Sequence, residues 1–148
     1  MIDINIHSFK DRLNIKKERG KIFIRCLIRK KFLVLQPEEL VRQLLILFLI
    51  DQGYPKEKIQ VEKSIDVNGL YRRFDIITYD STFEPYLLIE CKSHTVTIDQ
   101  KTFDQIANYN LAVKAPYLLV CNGVQTYCCS LNFVEKQINH LSFVPDYT

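Results

Sequence analysis

Two apolar runs, YLLIECKS at 86–93 and YLLVCN at 117–122, constrain this chain more than any other feature. Consecutive Leu, Ile, Val and Tyr residues without polar alternation belong to strands covered on both faces. Between the runs, TIDQKTFDQIANYNLAVKAP has helical spacing at Phe103, Ile106, Ala107 and Asn110 and stops at Pro116, which predicts a helix over about 99–113. A strand, a helix and a second strand at this spacing form a right-handed parallel crossover, so residues 86–121 are expected to make a βαβ unit.

The flanking segments add a helix and three more strands. PEELVRQLLILFLIDQGYP opens with a proline, carries acids in its first turn and reaches Gly53 past its end, giving a helix over about 37–52. Ile59, Val61, Ile65 and Val67 suggest a strand, Asn68-Gly69 a tight hairpin turn, and Phe74 to Tyr79 the return strand. After the crossover, Asn122-Gly123 reads as a second tight turn and VQTYCCSL as a strand running back. The expected architecture is α/β, a mixed central sheet flanked by helices in the order αβββαββ. KIFIRCLIRKKFLVL at 21–35 has the content of one or two strands, without a fixed assignment.

At 148 residues, with 47% apolar side chains and no linker or repeat, residues 1–148 fit a single domain with a sizeable core. The longest apolar stretch, LLILFLI at 44–50, is too short to span a bilayer, and no secretory pattern opens the chain, so the expected location is cytoplasmic. Five cysteines without a C-x-x-C pair fit a reducing compartment and buried thiols; adjacent Cys128 and Cys129 would face opposite sides of a strand, poor geometry for a metal cluster. Charge is uneven. Residues 1–31 hold ten Lys or Arg against Asp3, Asp11 and Glu18, which makes a basic segment able to lie along phosphates or to serve as a solvated face.

Three charges sit where charge is expensive. Glu90 and Lys92 interrupt the apolar run at 86–93 on the same side of a strand, and Asp75 lies among Phe74, Ile76 and Ile77. If these strands are neighbours, Asp75 and Glu90 converge, and two close carboxylates repel unless a cation lies between them. A hard divalent ion, Mg²⁺ or Mn²⁺, meets that demand, with Lys92 aimed at the water or phosphate beside it. The competing reading is a structural ion-pair network within the sheet.

Asp75 followed by Glu90-Cys91-Lys92 resembles the PD-(D/E)XK nuclease signature, and Gln105 with Tyr109, four apart on one helix face, resembles the Gln-x-x-x-Tyr motif of its RecB-like branch. PEELVRQLL, GYPKEKIQVE, RRFDIITYD, IECKS, FDQIANYN and APYLLVCNG follow the order found in the N-terminal nuclease domain of type I restriction enzyme motor subunits, over roughly residues 29–130. Residues 1–148 depart from that pattern in having phenylalanine before Asp75, and they are expected to work without a helicase following the domain.

The resemblance implies a restriction-endonuclease-like core and a metal-dependent nuclease that hydrolyses phosphodiester bonds, in DNA and in a restriction or DNA-processing setting. It makes Asp75, Glu90 and the Cys91 carbonyl ligands of Mg²⁺ or Mn²⁺, and Lys92 the group that orients or deprotonates the attacking water. Helix 1 supplies a further acid, Glu38 or Glu39; Glu38 is the one expected to lean towards the core, three and seven residues before Val41 and Leu45. Gln105 and Tyr109 would hold the site or touch a phosphate. Arg42, Arg72 and Arg73 are either phosphate contacts or solvent-exposed arginines, and His94 is incidental. The alternatives are a non-cleaving nucleic-acid-binding or assembly module and an RNA nuclease, and the partners implied are nucleic acid, restriction-complex subunits or a second copy of the chain.

Overall fold

A computed structural model describes residues 1–148, the side chain of Val67 excepted. A three-stranded antiparallel sheet comes first, with β1 Ile15–Glu18, β2 Lys21–Cys26 and β3 Lys31–Val34 in that spatial order. It is preceded by a 3-10 turn, Ile6–Arg12. This segment is not a loose basic arm: Ile2, Ile6, Ile24 and Cys26 are buried, and the Ile2 amide donates to the Thr126 carbonyl at 2.9 Å.

The main body is a six-stranded sheet in the order β4-β5-β6-β7-β8-β9, built from Ile59–Val67, Leu70–Tyr79, Pro85–Cys91, Tyr117–Cys121, Thr126–Asn132 and Gln137–Leu141. Among the described residues only β6 and β7 run parallel, joined by helix α2, Gln100–Val113, which is the crossover expected from the two apolar runs. Helix α1, Pro37–Asp51, packs on the opposite face. Strand β9 was not expected; Gln137 to His140 are all exposed and carry no apolar alternation that would announce a strand.

Each helix has a local cause. Pro37 opens α1 with Glu38 and Glu39 in the first turn, and Gly53 follows its end at φ 92°. Asp99 caps α2 by accepting from the Thr102 amide at 2.8 Å, and Lys114 closes it in the left-handed region. The buried Asn110 then holds the chain leaving α2, exchanging two hydrogen bonds with the Ala115 backbone at 2.9 and 3.1 Å. At the β4–β5 turn Asn68 and Gly69 adopt φ 54° and 83°, the two positive values a tight hairpin needs. The loop at Asn122-Gly123 is wider than expected: it runs to Gln125, with the Asn122 carboxamide oxygen accepting from the Val124 and Gln125 amides.

The sheet separates two cores. Leu87, Ile89, Cys91, Leu119, Cys121 and Cys128 meet Val41, Leu44, Leu45 and Leu49 of α1. Leu88, Leu118, Val120 and Cys129 meet Phe103 and Ile106 of α2. Each fully buried Leu or Ile contributes about 1.5–3 kcal/mol of transfer free energy, so these two seams supply most of the drive to fold. Cys128 and Cys129 do point to opposite faces, and all five cysteines are free and buried. Among the described residues no helix is long and apolar enough to cross a membrane.

Candidate active site

Asp75 and Glu90 come from adjacent antiparallel strands, and the register that pairs Ile76 with Ile89 sets them opposite each other. They nevertheless serve different sides of the sheet, for a reason the backbone supplies. The β4–β5 ladder pairs Val61 with Ile76 and Lys63 with Phe74, skipping Glu62 and Asp75. Glu62 stands at φ 50°, a left-handed conformation unusual for a residue with a side chain. Across this break the strands exchange faces: Val61 and Ile76 pack towards α1, whereas Ile65 and Phe74 pack towards α2, although regular alternation would keep each pair together. The two acids sit at that seam.

On the α1 side the seam is filled by arginine. Arg42, whose side chain is 6% exposed, donates to Asp75 Oδ1 at 2.7 Å, to Glu39 Oε1 at 2.9 Å and to Glu62 Oε1 at 3.2 Å. Arg29, from the β2–β3 turn, donates to Glu39 Oε1 at 2.9 Å and to Glu62 Oε2 at 2.7 Å. The other Asp75 oxygen accepts from the Cys91 amide at 2.8 Å. Burial alone would lower the Arg42 pKa, but its hydrogen bond to Asp75 and the charges of Asp75 and Glu39 outweigh burial and raise it, so the guanidinium stays charged.

On the α2 side lies a pocket of about 310 Å³, lined by Glu90, Lys92, Gln105, Tyr109, Arg72 and Thr102 among others. Burial, with the Asp75 carboxylate next in weight, pushes the Glu90 carboxyl up to about 9 while Lys92 pulls it down. Lys92 lies one residue beyond β6, its amide bound to the Cys121 carbonyl at 2.8 Å, and among the described residues its ammonium makes no ion pair. The Gln105 carboxamide donates to the Tyr109 hydroxyl at 2.9 Å, and the Arg72 guanidinium stacks 4.4 Å above the Tyr109 ring.

Four of the residues singled out from the sequence, Glu90, Lys92, Gln105 and Tyr109, therefore share one pocket, and Asp75 abuts it. Two expectations are corrected. Glu38 is exposed and Glu39 is buried, because α1 is covered almost all round from Val41 to Leu49 and its apolar spacing selects no face. Arg42 is a buried bridge between acids, not a solvent-exposed arginine. The Cys91 thiol belongs to the α1 core, so only its backbone borders the site. Sequence reasoning passed over Glu62 and Arg29. Strand alternation would turn Glu62 outwards, and Arg29 is hidden in the run RKK, so neither gave a signal.

Among the described residues no group of three or more His, Cys, Asp or Glu side chains is placed to hold a metal ion. Two hard oxygen donors are what Mg²⁺ typically takes from a protein, the rest of its shell being water and substrate phosphate. Asp75 beside a Glu90 whose charged form is disfavoured meets that description, because a cation would relieve both.

A mixed sheet between two helices, with acids and a lysine at the end of the strand that enters the crossover, defines a restriction-endonuclease-like α/β fold. The chain belongs to the family described as the type I restriction enzyme R protein N terminus (HSDR_N), whose model matches residues 37–145, which gives it a restriction-related context. The match begins at the first residue of α1, so the basic three-stranded sheet lies outside it. No curated protein matches the chain.

Proposed function

We propose that the protein is a metal-dependent nuclease that hydrolyses phosphodiester bonds in DNA. The observation that carries this reading is the pocket in which Glu90 and Lys92 from one strand end meet Gln105 and Tyr109 from the crossover helix, with Asp75 directly behind Glu90. Asp75 and Glu90 would hold Mg²⁺ or Mn²⁺, with the carbonyl of Cys91, the residue between Glu90 and Lys92, as a further ligand. A bound divalent ion supplies charge for the phosphate oxygens and lowers the pKa of a coordinated water. Lys92 orients the attacking water and offsets charge on the phosphoryl group as it becomes five-coordinate. Arg72, held against the Tyr109 ring, takes a phosphate oxygen, and Gln105 fixes the Tyr109 hydroxyl towards the same pocket.

One observation favours a second reading, a nucleic-acid-binding or assembly module that does not cut: Arg42 already neutralises Asp75. Incubating the pure protein with supercoiled plasmid, single-stranded DNA and RNA separates these readings, with Mg²⁺, Mn²⁺ or a chelator present. Metal-dependent cleavage of DNA supports the first. Binding without cleavage under every condition replaces it with the second, and cleavage confined to RNA changes the substrate.

A further inference from the structure

Four acids from four elements surround the seam: Glu39 of α1, Glu62 of β4, Asp75 of β5 and Glu90 of β6. Such a cluster has enough oxygen for two divalent ions, as two-metal phosphodiester hydrolases use. The arginines change that count. Glu39 and Glu62 are each bound by both Arg29 and Arg42, and Asp75 is bound by Arg42, whereas Glu90 makes no ion pair among the described residues, Lys92 sharing its pocket without closing on it.

We infer that Arg42 permanently fills one of the two cation positions, so that the site accepts a single divalent ion, on the Glu90 side of Asp75, and Glu39 is not a ligand of it. The inference rests on the proposed nuclease reading and adds the stoichiometry and the ligand set. Three features support it. Arg42 contacts three carboxylates at 2.7–3.2 Å from a side chain that is 6% exposed, so a hydrated ion entering beside it would meet a like charge at short range with little water to screen it. Displacing Arg42 would strand a guanidinium whose Nε is already buried without a partner. Glu39 is turned away from Glu90: one oxygen accepts from both arginines and the other from the Gln43 carboxamide at 3.0 Å. Arg42 is thus a positioning residue, a fixed monovalent counter-ion that holds Asp75 while leaving Glu90 to the metal.

The test is Mn²⁺ uptake by the full chain, read from the loss of the free-ion electron paramagnetic resonance signal and from calorimetry, neither of which needs activity. The parent should take up one ion per chain. Glu90→Gln should weaken binding at least about tenfold more than Glu39→Gln does, the difference expected between a ligand and a group that only supports one. Arg42→Met, if its melting curve shows a fold, should take up a second ion among Glu39, Glu62 and Asp75. Two ions in the parent, equal losses in Glu39→Gln and Glu90→Gln, or a folded Arg42→Met that still takes one would overturn the inference and leave the nuclease reading standing. A parent that takes up no Mn²⁺ at millimolar concentration overturns both. If Arg42→Met does not fold, the parent stoichiometry and the Glu39→Gln comparison decide alone.

Discussion

Replacing Glu90 by glutamine should make the metal-free protein more stable at neutral and alkaline pH. Glutamine keeps the shape of the protonated acid and cannot ionise. The folded state holds the Glu90 carboxyl up to about 9 against an ordinary 4.5, through burial first and Asp75 second. A group whose folded pKa is raised lends its full stability below the unfolded value, and that stability is lost as pH climbs from about 4.5 towards 9. At pH 7.5 the climb is about three tenfold steps of about 1.4 kcal/mol each, a ceiling of about 4 kcal/mol. Water in the 310 Å³ pocket screens the acid and reduces the expected gain of Glu90→Gln to about 1–3 kcal/mol. Urea denaturation with a chelator at pH 5 and pH 8 measures it: the two proteins should be close at pH 5 and diverge at pH 8, other titrating groups being common to both. Parallel stability curves across that interval would refute the burial of Glu90 against Asp75.

Other outcomes follow from the same geometry. Lys92→Ala should retain Mn²⁺ binding while DNA cleavage falls on the order of a hundredfold to a thousandfold; Lys92→Arg should not restore the rate in a plasmid-nicking assay, because guanidinium is planar and keeps its proton. Asp75→Ala, although it relieves Glu90, should destabilise the fold by about 3 kcal/mol in denaturant titration, since it leaves the buried Arg42 without its shortest partner. Neutralising the exposed Lys17, Arg19 and Lys21 together should flatten the salt dependence of DNA affinity by about one log–log unit for each phosphate these residues neutralise, measured by fluorescence anisotropy. An unchanged slope would make the basic sheet an ordinary solvated surface. Truncating the segment is a poor substitute, because Ile2 and Ile6 belong to the core.

The crossover and both helices were legible because their signals are local and redundant. Leu87 to Ile89 and Leu118 to Val120 are apolar on both faces, and Pro37 and Pro116 mark helix ends whatever the surroundings. The pocket was legible for a related reason, since Glu90 is an anomaly in its own strand and Gln105 and Tyr109 share a helix face by spacing alone. What escaped depends on contacts distant in sequence. Arg29 meets Glu62 across 33 residues, as Arg42 meets Asp75, and nothing local marks either arginine as a partner. Glu38 was preferred over Glu39 on periodicity, which fails on a helix buried nearly all round. Strand β9 pairs with β8 through its backbone with no apolar pattern to announce it.

Glu62 bears on how this protein would respond to selection. A non-glycine residue in the left-handed region costs about 1 kcal/mol or more, and glycine or asparagine would relieve that cost. Neither could replace the carboxylate that joins Arg29, Arg42 and Arg73. Losing that carboxylate would leave two partly buried arginines short of a partner, at a cost on the order of 3 kcal/mol that exceeds the strain relieved. A population evolved in the laboratory for thermal tolerance should therefore keep the acid and accept the strain.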